Sequence, residues 1–249
     1  MFYDMHCHID LFESPERMVR EIEKKCVATI AVTNTPEMYR DCLVHLRGCR
    51  YIKPALGLHP NAKVDRIREL RRFEKLAKGA NFIGEIGLDG RSPRDSWREQ
   101  EYAFEKILEV IHGQKCMVTV HSRGREKVVL EYLRRAGMHG VIFHWYTGPQ
   151  GLIEDIVADG HFFSVNLAMM SHSSSRKKIA LFPRERVLTE SDGPFAKHRK
   201  RRLSPIDMKD TVAELARLWG MSTYEAEKAV AMNVSSLAKK NGVFWEAFA

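Results

Sequence analysis

Short apolar runs alternate with longer amphipathic segments along this 249-residue chain, and the alternation repeats eight times. The strand candidates are MFYDMHCH (1–8), VATIAVT (27–33), YIKPALGLH (51–59), NFIGEIGLD (81–89), KCMVTVHS (115–122), GVIFHWY (140–146), HFFSVN (161–166) and RVLTESD (186–192). Between them lie segments such as SPERMVREIEKKC, RIRELRRFEKLAKG, REQEYAFEKILEVIHG and GREKVVLEYLRRAG, whose apolar residues recur at helical spacing. Parallel strands need crossover connections of helix length, so a strand–helix unit repeated eight times in about 250 residues predicts a TIM barrel, (β/α)8. IDMKDTVAELARLWG and STYEAEKAVAMNVSSLAKK follow the eighth strand and read as additional carboxyl-terminal helices outside the barrel. With no linker or repeat to divide it, residues 1–249 are expected to form a single domain.

Composition narrows the partners. Hydrophobic residues make up 44% and charged residues 29%, as in an ordinary soluble protein. The formal charge of +8 favours polyanions such as nucleic acid. The five cysteines form no CxxC pair and their odd number fits no closed disulfide framework, which suits a reducing cytoplasm. The amino terminus lacks the pattern of a signal peptide, and no apolar run approaches the ~20 residues that cross a bilayer, so no membrane partner is expected.

Barrel enzymes build their sites at the carboxyl ends of the strands, and ionisable residues gather there in this sequence. His6 and His8 end the first strand, where i and i+2 side chains leave the same face while Cys7 points towards the helices. Eleven histidines in 249 residues would give roughly half of one HxH pair by chance, so the pair needs company. His59 ends the third strand, Glu85 lies in the fourth, His121 and Arg123 end the fifth, His144 the sixth and Asp192 the eighth. A carboxylate inside NFIGEIGL is costly to bury without a cation. Singly, each residue reads as a rim or turn residue; together they predict a metal site. His45, His112, His139, His161, His172 and His198 lie elsewhere and read as structural.

MHCHID, GLHP, GEIGLD followed by WREQEYAF, HSRG, HWYTG and TESDGPF resemble, in order and spacing, the motifs of the TatD family of metal-dependent deoxyribonucleases over nearly the whole chain. Within the family, ALGLHP, GEIGLDG, HWYTG and RVLTESDGPF look most like the QatD branch, the TatD-like component of a bacterial anti-phage defence cassette, where partner proteins would accompany the enzyme. The resemblance implies two divalent metals, one held by His6, His8 and Asp192 and the other by His121 and His144, with Glu85 bridging. It places His59 on substrate or solvent and lets Arg123 clamp a phosphate. SVNLAMMSHSSS after the seventh strand and KHRKRRLSP after the eighth depart from the family pattern and leave the substrate range open.

Two cations about 3.5–4 Å apart suit phosphodiester hydrolysis. Water would attack phosphorus in line, Asp192 would orient it and accept its proton, and Arg123 would offset the growing charge. Imidazole favours zinc, whereas carboxylates also suit magnesium or manganese. Single-stranded or fraying DNA is the expected substrate. Two alternatives stand beside this reading: an amidohydrolase acting on a small cyclic amide or ester, and a metal-containing interaction subunit of a defence complex with conditional activity. The charge run KHRKRR (197–202) directly follows the eighth strand, which puts Arg199, Arg201 and Arg202 at the mouth as expected phosphate contacts.

Overall fold

The computed structural model describes residues 1–248. Eight parallel strands, β1 (Tyr3–Cys7), β2 (Ala28–Val32), β3 (Ile52–Ala55), β4 (Phe82–Gly87), β5 (Met117–His121), β6 (Val141–His144), β7 (Phe162–Val165) and β8 (Val187–Thr189), form the barrel. The connecting helices are α1 (Pro15–Lys25), α2 (Pro36–His45), α3 (Arg66–Ala77), α4 (Trp97–Ile111), α5 (Glu126–Arg135), α6 (Ile153–Ala158) and α7 (Ser173–Ile179). After β8 come a hairpin, β9 (Lys197–His198) and β10 (Arg201–Arg202), and two helices, α8 (Met208–Trp219) and α9 (Thr223–Lys240). This is the (β/α)8 architecture expected from the alternation, with the terminal helices outside.

Strands such as ATIAV are buried along their whole length because helices cover one face and the barrel interior the other, which explains their unbroken apolar runs. Helix ends follow local chemistry. Pro15 opens α1 at a position that needs no N–H, and Ser222 with Glu225 forms a reciprocal capping box at the start of α9. Trp245 and Phe248 pack under the amino ends of the barrel, against Phe82 and Tyr3. None of the described helices is long and apolar enough to cross a membrane, and all five cysteines are free.

Continuous ladders join β1 to β3 and β4 to β8. Two seams close the ring. At the first, the Leu56 N–H donates to the Phe82 carbonyl at 2.9 Å and the Gly84 N–H to the Leu56 carbonyl at 2.9 Å. At the second, side chains replace part of the ladder: the Thr189 hydroxyl donates to the Tyr3 carbonyl, and Asp4 Oδ1 accepts from the N–H groups of Ser191 at 2.9 Å and His6 at 3.1 Å. Burial pushes the Asp4 carboxyl up to about 8 against the pull of those hydrogen bonds.

Two strands stop well short of their expected ends, the others within two residues of theirs. The third was expected to run to residue 59 and ends at Ala55; the eighth was expected to reach residue 192 and ends at Thr189. Beyond β3 the chain passes so close to the next strand that a Cβ on Gly57 would lie 1.8 Å from the Thr33 carbonyl oxygen and 2.6 Å from the Glu85 nitrogen. Beyond β8, Asp192 turns into the left-handed region at φ +46°. His59 and Asp192 therefore leave the barrel on turns, whereas His6, Glu85, His121 and His144 stand on regular strand.

His161, at the opposite end of the barrel, is fully buried. Its Nδ1 accepts from the Val141 N–H at 3.2 Å, and burial pushes its pKa down to about 3, with Asp159 opposing weakly. Unfolded histidine titrates near 6.5, so between these values the unfolded chain binds the extra proton and stability is lost as pH falls below about 6.5. His161→Gln, which keeps an acceptor for Val141, is expected to flatten the acid limb by up to about 1.4 kcal/mol per pH unit. Urea unfolding at pH 6.5, 5.5 and 4.5 checks this; parallel profiles for variant and wild type would refute it.

Candidate metal centre

Glu85, 2% exposed, stands at the centre of the carboxyl-terminal end. Its Oε2 lies 3.4 Å from His6 Nε2 and 3.2 Å from His8 Nε2. Its Oε1 lies 2.7 Å from His121 Nδ1, 2.9 Å from His144 Nε2 and 3.5 Å from His59 Nε2. Asp192 Oδ1 faces His6 Nε2 and His8 Nε2 at 3.8 Å each. Five histidines from the ends of four strands, β1, β3, β5 and β6, thus meet around one carboxylate, beside Asp192 from the β8 turn. Close approach of strands makes this convergence possible: a Cβ on Gly87 would lie 2.0 Å from the His121 carbonyl oxygen.

The electrostatics follow from packing charge with little water. Burial alone would raise the Glu85 carboxyl, but the imidazoles of His59, His144 and His6 and the His121 hydrogen bond hold it well below the usual carboxylate range. Burial pushes His6 down to about 4. His144 is driven the other way, because Glu85 and Glu190 flank its ring and outweigh burial. Burial raises Asp192 to about 7 against the pull of His144 and His8.

The donor set fits divalent cations. His6 Nε2 is buried without a hydrogen-bond partner and points at two carboxylates, an arrangement a cation satisfies and a core packing position does not. Three groups offer converging ligand atoms: His6, His8 and Asp192; His6, Glu85 and His144; and His59, Glu85 and His121. The first is the set expected for one ion. The expected partners of the second, His121 and His144, both reach Glu85 Oε1, but each falls in a different group. His59 Nδ1 accepts from the Asn61 N–H at 3.0 Å, so its proton sits on Nε2 and faces Glu85 as a donor.

Several participants were not singled out from sequence. Asp89 holds His121 Nε2 at 2.9 Å and is itself fixed by Asn61 Nδ2 at 2.8 Å and the Arg91 N–H at 2.7 Å. Glu190, fully buried, lies 3.5 Å from His144 Nδ1 and accepts from Ser164 and Asn166. Such carboxylates set the tautomer and orientation of metal-facing imidazoles. Their signal was present in GLD and TESD, but acidic residues beside a turn carry little weight until their partners are known. His172, expected to be structural, lines the cavity.

A cavity of about 860 Å³ opens over the cluster, with Arg123 and Arg91 on its wall. The charge run differs from expectation. It folds into the β9–β10 hairpin, turning at Arg199 and Lys200 with φ +47° and +67°. Arg201 is held by Asp207 through both guanidinium nitrogens, at 3.0 and 2.5 Å, because the hairpin brings two residues six apart into a forked pair. Arg202 faces Glu13 at 3.7 Å, and Arg199 is exposed. None of the three lines the cavity.

Comparison with known proteins gives the same architecture a lineage. The family model for TatD-related DNases matches residues 3–239. An uncharacterized metal-dependent hydrolase of Methanocaldococcus jannaschii is 24% identical over 246 residues, covering 96% of this chain and 97% of its own. The human deoxyribonuclease TATDN3 is 25% identical over 259 residues, covering 95% and 94%. Among solved structures, the TatD homolog YjjV from Escherichia coli superposes with a TM-score of 0.83 at 22% identity, covering 95% and 97%. With its barrel, its histidine cluster and a family match spanning almost its whole length, the chain belongs to the TatD-related DNase family.

Proposed function

We propose that the protein hydrolyses phosphodiester bonds in single-stranded or fraying DNA, using two divalent cations of zinc, magnesium or manganese type. The observation that carries the proposal is Glu85 itself: its two oxygens face two different sets of imidazoles, as a carboxylate shared between two cations requires. Relatives named for nuclease activity support the substrate class, among them a 3'-5' ssDNA/RNA exonuclease of Pantoea vagans at 26% identity over 198 residues. The likeness of ALGLHP, GEIGLDG and RVLTESDGPF to the QatD branch extends the proposal to a bacterial anti-phage setting with partner proteins.

His6, His8 and Asp192 would hold one ion, His121 and His144 the other, and Glu85 both. When bound, the pair of cations neutralises charge on the attacking and leaving oxygens. The chain's own groups do the rest. Asp192 orients the attacking water and takes its proton. His59, with its proton on Nε2, donates to a phosphoryl oxygen. Arg123, exposed at the wall, offsets the charge that develops on the phosphate.

The test is a hydrolysis assay on end-labelled single-stranded DNA after chelation and stepwise return of zinc, magnesium or manganese. Activity is expected to vanish on chelation and return with a divalent ion. Cleavage that survives chelation would contradict the reading.

A further inference from the structure

The wall of the cavity carries cationic and aromatic side chains. The loops after β3, β4 and β5 contribute Asn61, Arg91 and Arg123; neither guanidinium pairs with a carboxylate among the described residues. The loops after β6 and β8 contribute Trp145 and Phe195. Barrel order sets Phe195, after β8, across the mouth from Arg91, after β4, while Trp145, after β6, stands beside Arg123, after the adjacent β5.

The aromatic pair has features that packing does not account for. Phe195 is 57% exposed, although its ring stands edge-on to His8 at a centroid distance of 5.0 Å, beside the cluster. Trp145 follows His144 directly and turns at φ +40°, a conformation uncommon for a bulky residue and recurrent at binding sites. It packs against the main core and against the small apolar cluster of Leu167, Ala196 and Leu203, the second of which follows Phe195 in sequence. A large apolar ring left in water next to a polar site serves when a flat ligand covers it.

We propose that Trp145 and Phe195 form a nucleobase platform and that Arg91, opposite Phe195, and Arg123, beside Trp145, hold the flanking phosphates, so that the site takes unstacked nucleotides one at a time. A base that remains stacked and paired in a duplex has no face to offer, so the platform itself selects single strands. Base stacking on an aromatic tolerates any sequence. This inference rests on the nuclease reading for its substrate class.

The experiment uses the metal-loaded protein and short single-stranded DNA carrying 2-aminopurine next to the scissile phosphate, whose fluorescence is quenched on stacking. Wild type is expected to quench it. Phe195→Ala and Phe195→Leu, the latter keeping apolar bulk against His8, are expected to lose the quench. Both should bind the oligonucleotide ~5- to 150-fold more weakly, the range for loss of a base-stacking aromatic, with kcat little changed. With an abasic site replacing the same nucleotide, wild type and variants should bind alike. Equal quenching by wild type and both variants, or an undiminished penalty on the abasic strand, would overturn the platform. Quenching by a wild type that cleaves no phosphodiester would refute the nuclease reading and leave the platform standing.

Discussion

Glu85→Gln is expected to reduce hydrolysis by more than ~10³-fold, beyond the loss of a single oxyanion-hole donor. Glutamine keeps the shape of the side chain but offers one neutral oxygen and an amide whose protons face the histidines. In the wild type, one carboxylate opposes His6 and His8 with one oxygen and His121, His144 and His59 with the other. Losing the charge therefore weakens both halves of the centre together. His144→Ala should weaken chiefly the half on the Oε1 side. Steady-state rates on labelled single-stranded DNA under saturating metal check the difference, and a Glu85→Gln enzyme within tenfold of wild type would refute it.

Asp192→Asn should lower kcat by at least ~10²-fold, the scale of lost general-base assistance, while the melting temperature moves far less. The asparagine can still occupy the left-handed turn, since Asn is among the residues that tolerate it, and its N–H can still donate to the His6 carbonyl at 2.9 Å. What disappears is the group that accepts a proton. Near-wild-type turnover by Asp192→Asn would exclude the role.

The order of strands and helices was legible because each carries its own period and the alternation has no other economical fold. Most of the ligand-type residues were legible for a related reason: strand ends of a barrel converge, so His6, Glu85, His121 and His144 could be grouped without knowing a single distance. What could not be read depends on pairings between distant segments. Asp4 closes the β8–β1 seam through the Ser191 N–H, a contact across 187 positions. Asp89 and Glu190 acquire their meaning from His121 and His144, on other strands. The strand ends at Ala55 and Thr189 were overextended because apolar pattern continues where the ladder stops, at the close approach of Gly57 and the turn at Asp192. The local pairing of Arg201 was not legible either. Its charge invited a long-range partner, and the hairpin supplied a local one in Asp207.

The central claim is that Glu85 joins two cations. Anomalous diffraction from crystals soaked in manganese or zinc measures this most directly. The account predicts two peaks per chain, one beside Glu85 Oε2 with His6, His8 and Asp192, and one beside Oε1 with His121 and His144; a single ion, or any ion standing clear of Glu85, would contradict it.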